Sequence, residues 1–290
     1  MVRDQARLLR SALFIPALSE GFLAKAPKRG ADAIVVDLED SIPPARKIQA
    51  RDVADAVIRR LDAAGLPVFV RVNSEPTHLY QDLMAVANSP VTGVLLPKAE
   101  TAEQVHEVSN QLRRSDLERG LSPGTTSLAL LLESPKAVLN AAQLAACEPS
   151  VVALVFGSED YATAMGVQPT LEAMRIPANL VGLAARAYGL AAWGVAGSIA
   201  EFTDLQKFRA MAGEARNAGY TGAFAIHPNQ VSILNEVFGI SDAEEQEALA
   251  ILAAFAAAVA EGKGAVALNG KMLDLPVVER ARQIVAKARR

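Results

Sequence analysis

Several carboxylates in this chain stand at the ends of short aliphatic runs. Asp37-Leu38-Glu39-Asp40 closes one run, Glu133 a second and Gly157-Ser158-Glu159-Asp160 a third, while Arg71-Val72-Asn73 and Pro97-Lys98 close two more. A carboxylate beside aliphatic side chains is unfavourable to bury unless it is paired or bound to a cation. Glu133 and Asp160 follow successive runs, so they stand side by side if those runs are neighbouring strands. Two anionic oxygen donors, with room left for water and substrate, match the way magnesium is usually held. The same acids can instead cap the helices that follow them, where the helix dipole favours a negative charge. Asp37, Glu39 and Asp40 fit outer-shell groups that orient metal-bound water, and two of the three fit equally as caps or ion-pair partners of Arg46 or Arg51.

Arg71 offers a permanently charged planar fork, suited to a substrate carboxylate or a developing enolate oxygen. An ion pair with Glu39 or Asp40 is the simpler alternative. Lys98 admits two readings, a Schiff-base lysine or a structural or anion-contacting one. Trp193, at the end of another run, is expected to pack a pocket wall. His227 falls at a run end, where a lone histidine is commonly hydrogen-bonded support, and His78 and His106 carry no pattern. These histidines lie far apart and Cys147 is alone, so no soft-metal site of zinc type is expected. Gly262-Lys-Gly264 follows a helical stretch rather than a strand and fails the context test for a phosphate loop.

The elements that must position these groups alternate regularly. Apolar runs at residues 11–16, 33–38, 67–72, 92–96, 127–132, 151–156, 189–195 and 222–227 are separated by helical stretches. Most runs are continuous rather than alternating in polarity, as expected for parallel strands covered on both faces. Val53, Val57 and Leu61 share one helical stripe, and Val105, Val108 and Leu112 another, with Thr101 and Gln104 forming a capping box ahead of the second. Eight strands with helical connections predict a (β/α)8 TIM barrel over residues 1–238, although an open doubly wound sheet gives a similar pattern. Residues 239–290 then form a C-terminal helical extension or lid, with an Ala-rich helix at 242–261 and another from 276 to the end. In a barrel the functional face lies at the carboxyl ends of the strands, where the charged residues fall.

Composition agrees with this. The chain has 290 residues, 51% hydrophobic and 21% charged, with a formal net charge of −3. That excludes disorder and gives no general field for a nucleic acid. The lone cysteine fits a reducing, cytoplasmic setting. The charged first ten residues lack the apolar core of a signal peptide, and no apolar run reaches membrane-spanning length.

Several motifs in register resemble the citrate lyase β-subunit-like proteins of the HpcH/HpaI aldolase superfamily, which include the malyl-CoA and citramalyl-CoA lyase branch. They are Arg10-Ser-Ala-Leu-Phe-Ile-Pro16, Val36-Asp-Leu-Glu-Asp-Ser-Ile-Pro-Pro44, Val70-Arg-Val-Asn73, Leu96-Pro-Lys-Ala-Glu100, Leu132-Glu-Ser-Pro135 and Phe156-Gly-Ser-Glu-Asp160. The resemblance implies a Mg2+-dependent carbon–carbon lyase acting on a malyl-, citramalyl- or citryl-type CoA thioester. It implies Glu133 and Asp160 as metal ligands and Arg71 as the catalytic arginine. Phe14, Pro16, Asp37, Glu39, Asp40, Lys98 and Trp193 become outer-shell or substrate-contacting positions. In the tail, Leu268-Asn-Gly-Lys-Met-Leu-Asp274 is similar to a segment that in the malyl-CoA lyase branch closes over a neighbouring subunit, with its aspartate as acid/base group. Asp274 inherits that role by resemblance, and a homotrimer or homohexamer is implied.

Three departures accompany the match. Ala17 follows the first-strand proline where many relatives have glycine, Glu133-Ser-Pro replaces Glu-Thr-Ala, and Trp193-Gly-Val-Ala-Gly-Ser-Ile-Ala-Glu-Phe202 replaces an Ile-Asp-Gly-Val segment. An altered seventh strand suggests an altered substrate. An aldolase for free 2-oxo acids such as pyruvate or oxaloacetate, and a non-catalytic homologue, are the competing readings. Retention of Arg71, Glu133 and Asp160 argues against the second.

Overall fold

The computed structural model describes residues 3–260, 262, 265–268 and 270–288. Lys263 and Gly264 of the Gly-Lys-Gly stretch, Glu261, Asn269 and the outermost residues of both ends lie outside that set. The chain divides into two compact units, Met1–Phe238 and Gly239–Arg290.

The first unit carries eight parallel strands: β1 (Ser11–Pro16), β2 (Ala33–Asp37), β3 (Val68–Arg71), β4 (Gly93–Leu96), β5 (Ser127–Leu132), β6 (Val151–Phe156), β7 (Ala191–Trp193) and β8 (Ala223–Ala225). Their spatial order is β7-β6-β5-β4-β3-β2-β1-β8. A bridge between Trp193 and Gly222 joins the two ends of that order, with Thr221 N donating to Ala192 O at 2.9 Å and Gly194 N to Gly222 O at 3.0 Å. The strands therefore close on themselves as a (β/α)8 barrel, and the open doubly wound sheet is excluded. β7 and β8 are shorter than their apolar runs. Gly189, at φ 68°, terminates the helix before β7, and Gly194, at φ 142°, turns the chain immediately after it.

Period-two alternation divides the strand residues between two cores. Ile34, Val36, Val68, Val70, Leu128, Leu130 and Leu132 face the helices. Ala33, Val35, Phe69, Leu95, Ala129, Leu131, Ala153, Val155, Trp193 and Phe224 face the barrel interior. Every residue of β5 and β6 is buried, which is why those runs are continuously apolar. Extending the inward parity by one step carries β2 from Val35 to Asp37, β3 from Phe69 to Arg71, and β5 from Leu131 to Glu133. The strand period alone thus aims these three charged side chains into the barrel mouth.

The covering helices follow the sequence pattern. Helix Lys47–Ala63 buries Ala50, Ala54, Val57, Ile58 and Leu61. Helix Ala102–Glu118 buries Val105, Val108 and Leu112 and begins with the Thr101–Gln104 capping box. The second unit comprises helix Asp242–Ala260, an antiparallel hairpin of β9 (Val266–Leu268) and β10 (Lys271–Leu273), and helix Leu275–Ala288. Its small core joins Ala248, Ala281 and Val285, with Ile251, Leu252 and Ile284 packed against it. The extension thus contains a hairpin as well as the predicted helices. Among the described residues no helix is long and apolar enough to cross a membrane.

Candidate active site

Asp37 and Arg71 are the last residues of β2 and β3 and are register partners. Arg71 Nε donates to Asp37 Oδ1 and Nη2 to Oδ2, both at 2.7 Å. Nη1 donates to Asp40 Oδ2 at 3.0 Å and lies 3.3 Å from Glu39 Oε2. The guanidinium also covers the Phe14 ring, 4.8 Å from its centroid. Burial opposes ionisation of Asp37, but the Arg71 guanidinium and the backbone N–H groups of Ser41 and Glu39 hold its carboxyl below the ordinary value. Arg71 is accordingly an oriented cation with its plane fixed by Asp37. Arg46 and Arg51, the other partners considered for these acids, are engaged elsewhere, Arg46 with Gln49 and Arg51 with Asp82 and His78.

The loop after β2 is held from beneath. The buried Lys47 ammonium donates to Leu38 O at 2.9 Å, Glu39 O at 2.7 Å and Asn73 Oδ1 at 2.6 Å. Asn73 Nδ2 in turn donates to Leu38 O and to Asp82. All three ammonium protons are used, so the ends of β2 and β3 are locked into one unit. No motif drew attention to Lys47, and its only signal is a charged residue on the otherwise apolar face of its helix.

Glu133 is 5% exposed, and its Oε1 accepts from Lys98 N at 2.8 Å. Lys98 presents that N–H from a left-handed conformation, φ 51°, unusual for a residue with a side chain. Burial, reinforced by the Asp160 and Glu39 carboxylates, pushes the Glu133 carboxyl up to about 9. Burial likewise raises Glu39, to about 7. The helix-cap alternative fails for Glu133, because Ser134 caps helix Pro135–Leu139 by accepting from Ala137 N. Asp160 lies in the first turn of helix Ser158–Met165, whose N-cap position is Gly157. Burial acts to lower the Lys98 ammonium, but Glu39, 3.4 Å from Nζ, and Glu133 hold it above its ordinary value. Its ammonium pairs with Glu39, and Lys98 is not among the residues that line the cavity at the carboxyl ends of the strands.

These groups open on a cavity of about 440 Å³ at the carboxyl ends of the strands. Asp37, Asp40, Arg71, Glu133 and Asp160 line it, as do Phe14 and Pro16. Glu159, noted with Asp160 at the end of the sixth run, also lines it, as do Ile199, Phe224 and Ile226, to which the sequence pattern gave no site role. Inward parity on β8 was the available signal for Phe224. Trp193 does not line the cavity. It is buried in the barrel interior, edge-on to Phe69 and Phe224, so the expected wall is one layer lower than predicted. His227 stacks on Phe202 and accepts from Asn229 N, a supporting role. Asp274 belongs to the second unit, where it is exposed and caps helix Leu275–Ala288 by accepting from Val277 N.

The donor set fits a hard divalent cation. A carboxyl raised to about 9 by burial and like charge is a site where an added cation reverses the balance. Glu133 and Asp160 supply two oxygen-donor groups, and no group of three or more His, Cys, Asp or Glu placed to hold a metal occurs among the described residues. Were a magnesium ion held there, the remaining coordination would fall to water and substrate, its usual arrangement.

Barrels with such a carboxyl-end cavity are enzymes whose loops bring acids and an oriented cation to a small substrate. A family model described as HpcH/HpaI aldolase/citrate lyase matches residues 10–228. The chain belongs to this family, that of the citrate lyase β-subunit, a family of carbon–carbon lyases. It is 36% identical to the citrate lyase subunit beta-like protein of Deinococcus radiodurans, over 96% of this chain and 97% of that one. It is 35% identical to a (3S)-malyl-CoA thioesterase of Cereibacter sphaeroides, over 98% and 96% of the two chains. The crystal structure of protein CitE from Mycobacterium tuberculosis with magnesium, acetoacetate and coenzyme A superposes with a TM-score of 0.78 at 27% identity, covering 97% of this chain and 98% of that one.

Proposed function

We propose that this protein is a Mg2+-dependent lyase that cleaves, or in reverse forms, a β-hydroxyacyl-CoA thioester of the malyl, citramalyl or citryl type. The observation that carries this is the cavity shared by the Glu133–Asp160 carboxylates and the Arg71 guanidinium. Magnesium held there supplies Lewis-acid polarisation and a template for the carboxylate and adjacent oxygen of a 2-hydroxy or 2-oxo acid. The relatives add support, one being named for malyl-CoA and a solved one holding magnesium and coenzyme A.

In the cleavage direction Asp274 of the neighbouring copy, directly or through a water, takes the hydroxyl proton, and the hydroxyl oxygen becomes the carbonyl of the 2-oxo acid. The bond between the carbinol carbon and the carbon next to the thioester breaks, and its electron pair becomes the enolate of the thioester. Arg71 faces that enolate oxygen. Asp37 and Asp40 fix its plane while leaving part of its five N–H set free to donate. A proton then reaches the enolate carbon to give acyl-CoA. Asp274 of a neighbouring copy in a homotrimer or homohexamer is the group assigned to that transfer. Its exposure on the second unit is compatible with service in another copy's site.

The test is a panel of hydroxyacyl-CoA thioesters incubated with magnesium or with chelator, the released 2-oxo acid being trapped as a hydrazone and the acyl-CoA separated chromatographically. Metal-dependent appearance of both products is expected. Cleavage of none of them, or equal cleavage with chelator present, overturns the reading.

A further inference from the structure

Helix Leu171–Ala187 is apolar on two faces. Met174, Ala178, Val181 and Ala185 bury one face against β6 and β7, and Tyr220 Oη fixes the helix there by donating to Ala178 O at 2.8 Å. The opposite face carries Ile176, Leu180 and Leu183 at spacings of four and three, and these are 72%, 42% and 67% exposed. Single exposed aliphatic residues are ordinary. Three in one stripe, along a helix about 25 Å long, mark a surface that another surface covers.

The charges beside the stripe identify that other surface. Glu172 stands in the first turn and Arg186 in the last. Both are exposed, and neither side chain has a hydrogen-bonding or ion-pair partner among the described residues. They fall within about 40° of each other around the helix axis, on the same flank of the stripe. An acid at one end and a base at the other, on one flank of an apolar stripe, match the same pattern run backwards.

We propose that this helix pairs antiparallel with the same helix of a second copy of the chain, across a two-fold axis passing between Asn179 and Leu180. Reversal about that point sets Ile176 opposite the partner subunit's Leu183. Glu172 then lies one residue, about 1.5 Å along the axis, from the partner subunit's Arg186. A two-fold axis lying in the plane of contact keeps each flank on its own side, so the acid and the base meet at both ends. Asn179 and Leu180 each meet their own counterpart at the centre. Such self-complementarity, with apolar residues central and charges at the rim, is what an isologous interface requires, and a head-to-tail contact leaves the charges unmatched. The contact needs neither metal nor substrate, and in an assembly built by threes it joins two rings into a hexamer.

Sedimentation equilibrium of the full-length protein tests this. The native mass is expected to be that of two or six chains, and Leu183→Lys or Ile176→Lys, each at an exposed position, to halve it. Glu172→Arg and Arg186→Glu singly are expected to raise the dissociation constant about tenfold, and the two together to restore it. Asn179→Cys, beside the axis, should be joined to its counterpart by a short bismaleimide. Glu172→Cys, about 20 Å or more from its own counterpart, should not, with the native protein and its lone Cys147 as control. A native mass of one or three chains overturns the proposal, as does a mass unchanged by both lysine variants. A double charge reversal that associates no better than the single ones overturns it too. Where a lysine variant does not fold, the Asn179→Cys cross-link decides, and its absence overturns the proposal.

Discussion

Gly157 lacks a side chain where Glu133 needs the space. A Cβ built at 157 falls 2.7 Å from Glu133 Cβ and 2.9 Å from its Oε2, distances that real Cβ atoms essentially never show. The two residues close neighbouring strands, β5 and β6, so the absence of one side chain sets the position of the other's carboxylate. Gly157→Ala is therefore expected to displace the Glu133 carboxylate and weaken metal binding by about tenfold or more. Titration of the variant with manganese as a spectroscopic probe checks this, and unchanged affinity contradicts it.

Glu133→Gln separates stability from function. In chelator, the amide removes a buried group whose ionised form is opposed by desolvation and by Asp160 and Glu39. Its melting temperature is expected to equal or exceed that of the native protein. Added magnesium should raise the native melting temperature but leave the variant's unchanged, since only binding to the folded state stabilises it. Turnover should fall to background. An equal magnesium-induced rise in both proteins excludes Glu133 as a ligand.

Lys47 lies beneath the β2 loop, donating to Leu38 O, Glu39 O and Asn73 Oδ1. Lys47→Met leaves those acceptors unpaired and loosens the loop that carries Asp40 and orients Arg71. Loss of about a hundredfold in kcat/KM is expected, the size typical of a misplaced charge-stabilising group. Magnesium affinity should change little, because Glu133 and Asp160 are held by other elements. Equal losses in both quantities would point to general unfolding instead.

Far from the cavity, Glu148 makes an acid-sensitive contact. Hydrogen bonding to Arg113 holds its carboxyl down at about 2, burial opposing and His106 and Ser109 assisting. A depressed carboxyl contributes stability that is present above its ordinary value near 4.5 and is lost as pH falls toward 2. Urea denaturation at pH 6 and pH 3 should show a loss on the order of 2 kcal/mol from this group. Glu148→Gln should be less stable at pH 6 and show a smaller decline with acid. A decline as steep as the native one excludes Glu148 as its source.

Much of this architecture is legible along the chain. Continuous apolar runs separated by amphipathic stretches specify parallel strands between helices, because a strand buried on both faces has no place for alternating polarity. Period two then aims Asp37, Arg71 and Glu133 inward, as a consequence of pleating that needs no knowledge of the closed barrel. The hairpin of the second unit also has a local sequence signal, the Asn269-Gly270 dipeptide between two short runs.

Other choices depended on contacts distant in sequence. The choice of Arg71 over Arg46 or Arg51 as partner of Asp37 follows from the β2–β3 register, while the distant Asp82 takes up Arg51. The burial of Trp193 below the cavity depends on Phe69 and Phe224 reaching it from other strands across the barrel. The cavity that gathers Asp37, Arg71, Glu133 and Phe224 exists only once β8 returns beside β1 and meets β7. Residue type and period are local properties, so the sequence by itself determined which side chains point inward. Closure of the ring is a long-range event, and only the tertiary structure decided which of those side chains face one another.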